Sequence, residues 1–73
     1  MEKMELRAFW ESCATSAKNT VLISVAERCG KSIQTVQAWI LGSRNPSRLD
    51  HEALCAFIRE NFNVEIVTKG GEQ

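Results

Sequence analysis

Gly30 and Gly42, twelve positions apart, bracket the segment that most constrains how this chain can fold. Without a Cβ, glycine takes the left-handed backbone conformation at little cost, so it commonly closes a helix. A helix ending at Gly30 and another ending at Gly42 leave eleven residues for a turn and the second helix. Ser32 can accept a hydrogen bond from a free first-turn amide, which marks it as the N-cap. The helix it opens is predicted to run from about Ile33 to Leu41. Only Gly30-Lys31-Ser32 then remain to join two helices, and a glycine turn that short sets them at a steep angle rather than antiparallel.

The other elements follow from spacing. Leu6, Phe9, Trp10 and Cys13 recur at helical intervals and predict a first helix over Met4 to Ala14. Asn19 or Thr20 is expected to cap a second helix starting near Val21, with Leu22, Val25, Ala26 and Cys29 on its apolar side. Ser47-x-x-Asp50 precedes the periodic run Leu49, Ala53, Leu54, Phe57, Ile58, a fourth helix reaching about Asn61. Phe62 to Ile66 alternates as a short strand, which needs a partner. The same segment of a second subunit would supply one; otherwise the end is a loosely packed tail. The fold class expected is mainly α: four short helices, or five, around a helix-turn-helix, with a short C-terminal strand. Residues 1–68 form one domain with the helix-turn-helix at about 21–41, and residues 69–73 are expected to be a flexible tail.

Val36, with Trp39 or Ile40, turns the third helix inward. That leaves Ile33, Gln34, Thr35, Gln37 and Ala38 on its outer surface, all uncharged. A glutamine amide offers a donor and an acceptor together, matching the N6 and N7 edge of adenine in the major groove. Ile33, Thr35 or Ala38 can meet thymine methyl groups, while Ser32 and Thr35 can bond phosphate. Lys31, Arg44 and Arg48 flank the helix, and its first amides add partial positive charge. The net charge of zero hides a division. Ala17 to Arg48 carries a surplus of four positive charges, and Leu49 onward a deficit of three. Because salt screens charges over about 8 Å, a phosphate backbone responds to the local field rather than to the sum.

The ordered set Ala26-x-x-x-Gly30-x-Ser32-x-x-Thr35-Val36-x-x-Trp39-x-x-Gly42-x-x-x-Pro46 resembles the helix-turn-helix of the lambda-repressor/Cro-like family of bacterial and phage DNA-binding proteins. The resemblance covers about Val21 to Ser47. It implies that the third helix enters the major groove of double-stranded DNA and that the loop after it meets phosphates. Carried over by position, base contacts fall to Gln34 and Gln37, with Ile33 and Ala38 as lesser ones. Backbone contacts fall to Lys31, Ser43, Arg44 and Asn45, joined by Ser32, Thr35 and Arg48 on their chemistry alone. The chain departs from the family at Lys31, usually apolar, and at Leu22 and Ile23, where a polar phosphate-binding side chain usually stands. What is implied is a small transcriptional regulator acting as a homodimer on two half-sites about one helical turn apart.

The remaining chemistry points away from catalysis. Cys13, Cys29 and Cys55 are an odd, widely spaced set, expected to be reduced thiols of a cytoplasmic protein that behave as small apolar side chains. His51 and Cys55, four apart, suit a metal or a Cys–His nucleophile, but close ligand pairs and an oxyanion site are lacking. No cofactor, metal or membrane partner is expected. The competing reading is a protein-interaction module on the same scaffold, antitoxin-like. Its partner would bind through Leu22 and Ile23 at the apolar start of helix two, or through the acidic C-terminal part.

Overall fold

The computed structural model describes residues 2–67, so the tail expected at 69–73 lies outside the described residues. The elements run β1 Glu2–Glu5, α1 Leu6–Ser12, α2 Thr15–Cys29, α3 Ile33–Leu41, α4 Arg48–Phe62 and β2 Val64–Val67. The fold is mainly helical, with four helices and a two-stranded parallel sheet made from the two ends of the chain.

α3 has the bounds its glycines and Ser32 predict. Gly30 and Gly42 have φ of 68° and 90°, both left-handed. A methyl group built on either would meet no atom within 4 Å. Backbone conformation, not space, is what requires glycine there. Ser32 Oγ accepts the Thr35 amide at 3.1 Å, and Ser47 Oγ accepts the Asp50 amide at 3.2 Å, capping α3 and α4. Asn63, at φ 57°, closes α4 and turns the chain into β2. Asparagine tolerates that region better than most residues with a Cβ.

α2 is longer than expected. It begins at Thr15, not near Val21, and neither Asn19 nor Thr20 caps it. Thr20 sits within the helix, its hydroxyl donating to the Ser16 carbonyl at 3.1 Å, a bond that a helix interior allows. The added turns place Lys18 Nζ 5.3 Å from the centre of the Trp10 ring. That cation–aromatic contact favours continuing the helix through a polar stretch that reads as a loop. α1 is correspondingly short, and Met4, read as its first residue, belongs to β1.

β1 is the larger correction at the N-terminus. Glu2, Lys3, Met4 and Glu5 pair with Val64, Glu65, Ile66 and Val67 in parallel register. The partner of the C-terminal strand is therefore the chain's own beginning, not a second subunit, and the segment is no loose tail. Val64 is buried, and Met4 and Ile66 pack against the core.

Phe9, Trp10, Val21, Leu22, Val25, Ala26, Val36, Trp39, Ile40, Leu54, Ile58 and Val64 form that core, and no polar or charged residue among those described is buried with them. Phe62 closes one side, its ring edge-on to Phe9 at 5.2 Å between centroids. Leu49, read as part of the apolar stripe of α4, is 77% exposed. It lies in the first turn, before the stripe carried by Leu54 and Ile58 reaches the core. Arg7 Nη1 donates to the Leu41 carbonyl at 3.2 Å, tying α1 to the last turn of α3.

Gly42→Ala should destabilise the fold by about 1–2 kcal/mol, the penalty for a Cβ in the left-handed region, and Gly42→Asn by less. Urea denaturation of the two variants checks this, and equal stability of all three proteins would contradict the backbone account.

Candidate nucleic-acid interface

α3 places its residues by face. Val36, Trp39 and Ile40 are buried, while Gln34 and Gln37 are exposed three residues apart, on one side of the rod. Ile33 is 44% exposed at the start of the helix, and Ala38 is half-buried. Lys31 stands exposed before the first turn. Arg44 and Asn45 stand exposed in the loop beyond Gly42. The side chains of Lys31, Gln34, Gln37, Arg44 and Asn45 take no partner among the described residues. No Asp or Glu occurs between Glu27 and Asp50. A neutral amide face thus lies between a cation at one end and a cation at the other.

The remaining predicted residues are partly committed. Ser32 Oγ and Thr35 Oγ1 share a 2.8 Å hydrogen bond in addition to the cap, so these hydroxyls organise the start of α3. The Ala38 carbonyl accepts the amides of Gly42, Ser43 and Arg44 at 3.0, 3.0 and 3.3 Å. Ser43 Oγ adds a longer bond of 3.4 Å to the same oxygen. This cluster closes the helix and fixes where the loop leaves it. Arg48 pairs with Glu52 at 3.4 Å on an exposed surface, so its charge is partly offset. Five of the eleven predicted residues therefore keep free polar side chains around α3, and Ile33 adds an exposed apolar one.

The apolar start expected of helix two is not there. Leu22 is buried in the core in mid-helix, and only Ile23 stands out, 48% exposed. The true first turn carries Thr15 and Ser16, both exposed, and no side chain caps it. Sequence spacing missed this start because Ala14 at the N-cap carries no capping group, whereas Asn19 and Thr20 imitate one. Arg7, which fixes the end of α3, was also missed. A cation near a helix C-terminus is a signal only once the two helices are known to meet.

The thiols are quiet. Burial raises the Cys13, Cys29 and Cys55 thiols above their ordinary range, and the negative charge of the Asp50 carboxylate adds to the rise at Cys29. His51 Nε2 lies 3.5 Å from Cys55 Sγ. A nucleophilic Cys–His pair needs the thiol lowered, so the shift at Cys55 runs the wrong way. Among the described residues no three His, Cys, Asp or Glu side chains come close enough to share a metal ion. No described helix is long and apolar enough to cross a membrane.

Iodoacetamide should alkylate the folded protein slowly at neutral pH and faster in urea, as read by intact mass. Because folding favours the protonated thiols, their contribution to stability is present at neutral pH and is lost as pH rises through their elevated range. Rapid alkylation of the folded chain at neutral pH would contradict these shifts.

Compared with protein-family models, with curated proteins and with solved structures, the chain matches none.

Proposed function

We propose that this chain is a sequence-specific DNA-binding protein, a small transcriptional regulator of prokaryotic or phage type that seats α3 in the major groove. One observation carries the reading: Gln34 and Gln37 are exposed together on α3 while Lys31 and Arg44 stand unpaired at its two ends. Nine helical residues span about 13 Å, comparable to a groove about 12 Å wide. The two amides address base edges, and Lys31, Arg44 and Asn45 address the phosphates on either side. One such helix reads few base pairs, so useful specificity calls for two copies on adjacent half-sites.

A second reading has its own support. Ile23 and Leu49 leave apolar side chains in solvent, and these are what a protein partner would cover. On that reading the scaffold is an interaction module with little affinity for DNA.

Selection from a random duplex library, followed by binding titrations at several salt concentrations, separates the two. Gln34→Ala and Gln37→Ala should relax sequence preference. Arg44→Ala should weaken binding to all sequences alike and lower the salt slope by about one phosphate contact. A folded protein that shows no retention on random DNA at low salt would overturn the regulator reading in favour of the interaction module.

A further inference from the structure

Apart from the α3 face, the sheet is the part of the molecule with an open side. β2 packs on α4 and α1, whereas β1 meets mainly β2 and the helix it leads into. In a sheet of two strands, the outer side of β1 presents backbone N–H and C=O groups with no ladder partner, ready to accept another strand. Glu2, Lys3 and Glu5 are exposed along it, and Met4 turns toward the core. Charges on an edge strand ordinarily discourage pairing. Here they select one register.

Directly opposed residues of an antiparallel ladder share a face of the sheet, so a two-fold axis between two copies of β1 must pass at a residue and not between two. Two registers then engage three strand residues. With the axis at Lys3, Lys3 opposes its own copy. With the axis at Met4, Lys3 opposes Glu5 of the second copy on both sides and Met4 opposes Met4. Opposite charges directly across a ladder attract, and like charges there repel. Only the register centred on Met4 is matched. Lys3 also lies opposite Glu65 in its own chain. In the paired sheet it would stand between two carboxylates, although it makes no ion pair with a described residue in the single chain.

We propose that β1 is a homodimer surface: two copies join through their N-terminal strands, centred on Met4, into a four-stranded sheet ordered β2-β1-β1-β2. This deepens the DNA-binding reading, on which the need for two copies rests. Strands this short bury far less than the about 1,200 Å² of a stable interface. The dimer is therefore weak in free solution and gains its strength when both copies engage one duplex.

Sedimentation equilibrium without DNA, from micromolar to millimolar protein at low salt, tests the surface. The parent should dimerise weakly. Glu5→Lys turns both matched pairs into like charges and should raise the dimer Kd about tenfold or more. Within its own chain Glu5 faces Val67, so that change leaves the sheet's internal charge pairing alone, and a circular-dichroism melt checks the fold. Lys3→Glu should weaken self-association likewise, while an equimolar mixture of the two variants should associate at least as well as the parent. A parent that is monomeric at millimolar concentration overturns the proposal. So does a Glu5→Lys variant that dimerises as tightly as the parent, or a mixture no tighter than its components. A parent that dimerises in this way but does not bind DNA upholds the β1 surface and removes only the regulator reading.

Discussion

Val36, Trp39 and Ile40 sink one side of α3 into the core, and the opposite side can then point only outward. Burying three such side chains contributes about 1.5–3 kcal/mol each, more than any single cap or surface contact nearby. The Ser32 cap, worth about 1 kcal/mol, trims the start of the helix. The Ala38 carbonyl, gathering three amides, trims its end. Orientation comes from burial, and the caps decide length. Together they set Gln34 and Gln37 side by side without either residue being held by any bond of its own.

The charged side chains play a smaller part in holding the molecule together. Arg7–Glu11, Arg28–Glu60 and Arg48–Glu52 all lie 3.4–3.7 Å apart on exposed surfaces, where ion pairs contribute little. What these pairs do is distribute the field. Arg28 and Arg48 each have a carboxylate nearby, whereas Lys31 and Arg44 do not. Within the basic stretch Ala17 to Arg48, Lys31 and Arg44 at the two ends of α3 are left without a carboxylate among the described residues, so part of the surplus charge of the middle of the sequence stands at that helix.

Legibility in the sequence followed the strength of local signals. α3 and the start of α4 were readable because glycine in the left-handed region and serine at an N-cap act within a few residues, whatever the rest of the chain does. The inward placement of Trp39 and the outward placement of both glutamines followed from periodicity once those ends were set. The start of α2 was not readable, because its N-cap is an alanine and its extension leans on Trp10 from another helix. β1 was invisible for a related reason. Glu2 to Glu5 carries one apolar residue, Met4, which fits a helix start as well as a strand, and only Val64 to Val67 at the far end of the chain decides between them. Leu49 shows the converse: helical spacing gave it an inward place, but a first turn that overhangs the core has nothing beneath it.

The parallel strand pair has a consequence for how the molecule is assembled in time. Contacts among the helices can begin to form before β2 is made, but β1 precedes its ladder partner by all four helices. Throughout synthesis the leading strand waits with both sides vacant, and the sheet closes only when the segment after Asn63 emerges. Vectorial growth of the chain thus makes closure of the β1–β2 ladder a late act, possible only after all four helices have been synthesised.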